Sequence, residues 1–160
     1  LNKEKCHFSK SEVMFYGHVF SADGLRPDQK KVEAIQYATA PRNPSDVKSL
    51  LGVAQYLARY IPGYADITAP LRALTKEDVT WKWEQTEQEA LEKLKKAFTG
   101  NQVMSYFDPF QATEVIVDAS PIGLGALLVQ NDKVICYASC VLSDIETRYS
   151  QTEKEMLAVV

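Results

Sequence analysis

The run Glu114-Val115-Ile116-Val117-Asp118-Ala119-Ser120, continuing as Pro121-Ile122-Gly123-Leu124-Gly125-Ala126, decides how the second part of the chain folds. Apolar β-formers lead into an aspartate, then into small residues and glycines. Strand alternation puts Val115 and Val117 on one face, and Ile116 and Asp118 on the other. Asp118 therefore ends a strand and shares its face with an apolar neighbour. A second strand is predicted over 123–130. The Asn131-Asp132 pair turns it into a third over 133–139, and a helix begins near Ser150.

In that helix Glu153, Met156, Leu157 and Val160 stand at i, i+3, i+4 and i+7, so they lie along one predicted core-facing stripe. A carboxylate on such a stripe is costly unless something compensates it. A divalent cation shared with Asp118 would do so, because hard cations take oxygen ligands. Two carboxylates that close would also push one of the two pKa values up. The plainer alternatives stay open. Asp118 could cap a turn, and Glu153 could close a capping box with Ser150, overlapped by a second box of Thr152 with Glu155.

The chain has 160 residues, enough for one ordinary domain or two small ones, and its hydrophobic content of 46% suits a globular fold. It starts at Leu1 and stops at Val160 inside a helical pattern, so we expect a piece of a longer protein. No run approaches a membrane span and no signal-peptide pattern is present. Cys6, Cys136 and Cys140 lack metal-ligand spacing, and reduced, buried thiols in an intracellular protein are expected. The net charge of −3 hides an asymmetry. Between Arg26 and Arg59 six bases meet three acids, whereas from Glu84 to Val160 twelve acids meet six bases. The first excess suits a phosphate backbone and the second suits cations, with ordinary solvated faces as the alternative.

Residues 1–25 read as β-structure, with strand candidates at Cys6-His7-Phe8, Val13-Met14-Phe15-Tyr16 and His18-Val19-Phe20, and a turn at Asp23-Gly24. Neither His7 nor His18 has a second ligand near it in sequence. A helix is predicted over 28–38 with Val32 and Ile35 inward, ended by Pro41 and Pro44. The clearest helix runs over 45–61, with Val47, Leu50, Leu51, Ala54, Leu57 and Ile61 in one stripe and Lys48, Gln55 and Arg59 off it. Pro62-Gly63 stops it. A shorter helix over 69–74 takes Pro70 in its first turn. Trp81 and Trp83 are expected to pack in the core rather than stack on bases. Thr86 with Glu89 suggests a capping box for a helix to Phe98 that buries Ala90, Leu91, Leu94, Ala97 and Phe98 and ends at Gly100. Residues 103–110 form an extended lead into the strands.

Four motifs together resemble the start of the RNase H domain in gypsy-type LTR retrotransposon polyproteins. They are Asp118-Ala119-Ser120, Gly123-Leu124-Gly125-Ala126-Leu127-Leu128, Tyr137-Ala138-Ser139 and Tyr149-Ser150-Gln151-Thr152-Glu153-Lys154-Glu155-Met156-Leu157-Ala158-Val159-Val160. The string from Lys5 through Phe15-Tyr16-Gly17-His18-Val19 to Gly24 resembles the end of the same family's reverse transcriptase palm. Ser49-Leu50-Leu51-Gly52-Val53 with Tyr56-Leu57 and Arg59-Tyr60-Ile61-Pro62 resembles its thumb motif, with Leu57 and Ala58 replacing a tyrosine and an arginine.

The resemblance implies an α+β chain in four parts: a palm end over 1–25, a helical thumb over 26–79, a tether over 80–112, and the first half of an RNase H-like domain over 113–160 (three antiparallel strands and the first helix). It implies Asp118 and Glu153 as catalytic ligands of Mg²⁺ or Mn²⁺, in a parent that copies RNA into DNA and hydrolyses the RNA strand of hybrids. Phe15, Tyr16, Gly17 and His18 would form a primer grip. Lys30, Lys31, Lys48 and Arg59 would meet phosphates, and Ser120 would lie near the backbone or simply close a turn. The implied partners are RNA–DNA hybrid, primer-template and the rest of the Pol polyprotein. No membrane is implied, the parent could dimerise, and the setting is cytoplasmic, in a virus-like particle. The sequence holds no Asp-Asp pair of the polymerase kind, so this segment alone is expected to be inactive. The competing class is a non-catalytic nucleic-acid-binding or structural module of a decayed element, which Cys140 favours where the family usually carries arginine.

Overall fold

The structure, a computed structural model, describes residues 6, 8–99 and 103–160. The expected contributions of His7 and Gly100 lie outside the described residues. Strands β1 (Glu12–Phe15), β2 (His18–Ser21) and β3 (Gly24–Pro27) form one antiparallel sheet in chain order. The β1–β2 turn puts Tyr16 at φ 46° and Gly17 at φ 73°, the left-handed pair that a two-residue hairpin matching strand twist requires. β3 was not expected. Its Leu25 bridges Met104 through mutual backbone bonds of 2.8 Å, which ties the extended lead of residues 103–110 to this sheet. Cys6 and Phe8 are not in a strand.

Helix α1 (Gln29–Gln36) is capped by Asp28, whose side chain accepts from Lys30 N–H, and it buries Val32 and Ile35. α2 (Pro44–Tyr56) begins on an Asn43 cap and ends five residues before Ile61, the chain tightening into a 3-10 helix at Ala58–Tyr60. The apolar stripe continues across this break, so Leu57, Tyr60 and Ile61 are as buried as Val47 and Ala54. α3 (Tyr64–Ala73) starts earlier than expected. Gly63, at φ 59°, lets the chain reverse into it, and Pro70 falls in its interior rather than its first turn. α4 (Gln85–Lys96) buries Ala90, Leu91 and Leu94 as expected. Its box is not Thr86 with Glu89, however: Glu87 Oε2 accepts from Glu84 N–H at 3.0 Å, two residues earlier.

The second sheet orders β4 (Glu114–Ala119), β5 (Gly123–Gln130) and β6 (Lys133–Val141), all antiparallel. Asn131 and Asp132, at φ 51° and 58°, make the expected tight turn. One core joins the two halves: Leu25, Ile35, Leu57, Tyr60, Tyr64, Leu94 and Phe98 bury together, with Val134 and Tyr137 of β6 against them. Each such side chain contributes about 2 kcal/mol of transfer free energy. Trp81 and Trp83 stack on each other at 6.2 Å and pack against Val47, Leu51, Leu71 and Ala90, the core role expected of them.

Helix α5 (Gln151–Val159) departs most from its pattern. Met156 is 67% exposed, Val160 is fully exposed, and Glu153 is exposed with them. The buried residue is Lys154, at 6% exposure, whose Nζ donates to the carbonyl of Pro121 at 3.1 Å. Glu153, Met156 and Val160 of the expected stripe are thus exposed while Leu157 is half-buried, and the ammonium of the buried lysine finds a backbone acceptor. Cys136 is half-buried and Cys140 exposed, so the thiols are not uniformly buried. Among the described residues no helix is long and apolar enough to cross a membrane.

Candidate functional site

Asp118 is exposed near the end of β4, opposite Gly125 in register. It lines a cleft of about 210 Å³ with Asp66, Ser120, Gly123, Tyr137 and Ser139. The wall opposite the sheet is the start of α3. Ser120 Oγ donates to Asp66 Oδ1 at 2.7 Å and accepts from Gly123 N–H at 2.8 Å. Ala65 N–H donates to Ser139 Oγ at 3.0 Å. Ser120 therefore closes the turn after β4 and ties it to α3.

Glu153 does not line this cleft. Its Oε2 accepts from both the backbone N–H and the hydroxyl of Ser150, each at 2.8 Å. These bonds hold its carboxyl below the usual range, opposite to the rise expected of a crowded pair. The physical reason is the capping box, which gives the charged form two donors. Thr152 with Glu155 does not form the overlapping box. Instead Gln151 Nε2 donates to Ala119 O at 2.8 Å and to Glu155 Oε1 at 2.7 Å. The second helix carboxylate thus lies no farther from the end of β4 than two hydrogen bonds laid end to end. Sequence reasoning passed over Glu155 as catalytic and Asp66 altogether. The i,i+4 spacing of Gln151 and Glu155 was a visible signal. Asp66 is 54 residues from Ser120, and no local pattern marks it.

A divalent cation requires oxygen donors with room between them. Asp118 offers such donors, and each helix glutamate has one oxygen committed, Glu153 Oε2 to Ser150 and Glu155 Oε1 to Gln151, so what distinguishes Glu155 is its nearness to the end of β4 through Gln151. Among the described residues no three His, Cys, Asp or Glu side chains group closely enough to hold a metal. The donor set on this chain fits a cation in part.

A second cluster lies on the other sheet. Phe15 and Tyr16 are 59% and 72% exposed and meet edge to face at 4.5 Å. Behind them His18 Nδ1 lies 2.8 Å from the Tyr60 hydroxyl, and the imidazole stacks on Tyr56 at 5.7 Å. Lys31 Nζ stands 3.9 Å from the centre of the Tyr56 ring. Gly17 allows this approach, since a Cβ there would lie 2.4 Å from Lys31 Cε. Arg59 borders Tyr60, and its Nε is buried without a hydrogen-bond partner. Burial first, then the charges of Arg59 and Lys31, hold His18 below the ordinary imidazole range. Burial pushes the Tyr60 phenol up to about 12. Lys31, His18 and Arg59 thus converge, while Lys30 and Lys48 stand exposed on α1 and α2. Tyr56 and Tyr60, which organise the cluster, were not singled out from sequence as site residues.

Residues 83–160 match the family described as the RNase H-like domain found in reverse transcriptase. The whole chain aligns with the transposon Tf2-3 and Tf2-4 polyproteins of Schizosaccharomyces pombe, 34% identical over 165 residues, and spans 12% of their length. Among solved structures, a foamy viral protease-reverse transcriptase in complex with RNA/DNA hybrid superposes with a TM-score of 0.84 at 25% identity, covering 98% of this chain and 22% of that one. The same kind of enzyme in complex with dsDNA superposes at 0.80, again at 25% identity, over 94% of this chain and 32% of that one. The proteins that this chain resembles are thus those that carry a reverse transcriptase with an RNase H-like domain. The chain is similar over its whole length to a segment of retrotransposon polyproteins, and its residues 83–160 match the RNase H-like family model.

Proposed function

We propose that this chain is the hybrid-handling segment of a retrotransposon reverse transcriptase, with the hairpin as palm end, α1 to α3 as thumb, α4 as tether, and β4 to α5 as the opening half of the nuclease domain. The observation that carries it is the convergence of Lys31, His18, Tyr56 and Arg59 from four elements behind the exposed Phe15–Tyr16 pair. Cations beside exposed aromatic rings suit a sugar-phosphate backbone with bases or riboses stacked on it. The superposable foamy viral structures, one with RNA/DNA hybrid and one with dsDNA, support the same partner class.

The parent would copy RNA into DNA and cleave the RNA of the hybrid. Asp118, with a glutamate of α5, would hold Mg²⁺ or Mn²⁺. When bound, such a cation polarises the phosphate and lowers the pKa of water. The chain's own contribution is positional: Gln151 and Lys154 hold α5 against the end of β4, and Ser120 with Asp66 holds the turn beyond Asp118. By resemblance the helix ligand would be Glu153, while the nearness of Glu155 to the end of β4, its carboxylate sharing Gln151 with Ala119 O, supports Glu155. A second reading, a binding module without nuclease chemistry, is favoured by the commitment of Glu153 to its cap.

Hybrid binding measured against salt tests the proposal. Weak, sequence-independent binding is expected, with each of Lys30, Lys31, Lys48 and Arg59 lowering the salt slope by about one unit when neutralised. Binding that ignores salt, or that survives neutralising all four, overturns it.

A further inference from the structure

His18 is the point where the hairpin meets the helices. Its Nδ1 faces Tyr60 Oη at 2.8 Å, and its ring stacks on Tyr56. The cations acting on it are Lys31 of α1 and Arg59 of the 3-10 helix. Of the nearby acids, Glu12 is paired with Arg26 and Asp23 lies in the turn, both away from the His18 end of the strands, and Asp28 adjoins the hairpin with its N–H donating to Gly17 O at 3.0 Å. Its Oδ1, however, is occupied by Lys30 N–H at 3.0 Å. Across the strands His18 pairs with Phe15 and Pro27, neither of them charged. Burial first, and then these positive charges, hold the imidazole below its ordinary range.

We propose that nucleic-acid phosphate arriving beside Lys31 and Arg59 brings a proton onto His18, which then serves as a third cationic contact of the same site. The proposal rests on the reading that this edge meets the backbone. An anion there cancels the field of the two cations and favours the charged imidazole. The surroundings accept either state without rearrangement. Tyr60 keeps its hydroxyl proton across the whole working range, because burial pushes its pKa up to about 12. A hydroxyl both donates and accepts, so it serves a neutral Nδ1 in either tautomer and accepts from the imidazolium N–H. Stacking on Tyr56 favours the cation further. The proton comes from solvent, one per site at most, and no covalent bond changes.

Titration calorimetry of the chain with a short RNA–DNA hybrid, near pH 7 where imidazole titrates, in two buffers of different ionisation enthalpy, tests this. Fractional proton uptake is expected, kept in His7→Gln and lost in His18→Gln. In the wild type the salt slope should steepen by up to about one unit between slightly alkaline and slightly acidic buffer. The His18 ring proton, followed by NMR without any substitution, should report a pKa that rises when hybrid is added. Binding with no uptake, uptake unchanged in His18→Gln, or a His18 pKa that stays put or falls overturns the proposal and leaves the hybrid-handling reading standing. Absence of any hybrid binding overturns both.

Discussion

Ser120 donates its hydroxyl to Asp66 at 2.7 Å, a bond that joins the turn after β4 to the first turn of α3. Beside it Gly123 has no room for a side chain: a Cβ would lie 2.7 Å from Asp66 Oδ1 and 3.1 Å from the carbonyl of Cys140. Gly123→Ala should destabilise the chain by about 1–3 kcal/mol, the usual cost of overpacking. Adding Asp66→Ala should recover part of that loss but not all, since the Cys140 carbonyl stays in place. Urea denaturation of the four members of this cycle checks it, and strict additivity would show that Asp66 does not set the space at Gly123.

Lys154 is the buried cation of α5, with its ammonium on Pro121 O. Lys154→Ala should cost about 2 kcal/mol through the cavity it leaves. Lys154→Met keeps most of the stem and should cost less than half as much. Thermal unfolding of both variants distinguishes packing from hydrogen bonding as the main contribution.

His18 also links stability to pH in the free chain. Its folded pKa lies below the ordinary 6.5, so the unfolded chain takes up the proton first. Its contribution is complete above 6.5 and is lost as pH falls through the lower folded value. Denaturant midpoints measured on a pH series should fall across that window in the wild type and run flatter in His18→Gln. A midpoint that rises on acidification through the same window would reverse the sign argued here.

The two glutamates of α5 can be separated by function. In a polyprotein chain carrying this segment, Asp118→Asn should lower RNA-strand cleavage by more than about a hundredfold while leaving hybrid binding intact. Glu155→Gln should do the same if the carboxylate beside Ala119 is the second ligand, and Glu153→Gln should then alter little beyond the helix cap. Cleavage rates for the three variants decide between the glutamates. Loss with Glu153→Gln alone would restore the choice made from the sequence motif.

The pH behaviour of Glu153 offers an independent check. Its carboxyl is lowered by the backbone N–H of Ser150 and then by its hydroxyl, so the stabilisation is present above the ordinary 4.5 and lost as pH falls through the lower folded value. Ser150→Ala removes one donor, and NMR titration should show the Glu153 pKa moving up toward 4.5.

Local rules made much of this protein readable from its sequence alone. The strands around Asp118, the Asn131-Asp132 turn, the start of α5 and the stripes of α1, α2 and α4 all follow from alternation, helical spacing and turn chemistry, which act over a few residues. The same reach explains the misplaced details. Two overlapping capping boxes in α5 were equivalent on paper, and only the docking of Gln151 onto Ala119 left Glu155 free of the cap. The apolar spacing of Met156, Leu157 and Val160 could not show that α5 buries Lys154 instead. Tertiary structure alone brought Asp66 to Ser120, Tyr60 to His18 and Lys31 to Tyr56. Those pairs are set by how α1, α2 and α3 settle on a common core, and side chains from distant parts of the chain meet only once that core has closed.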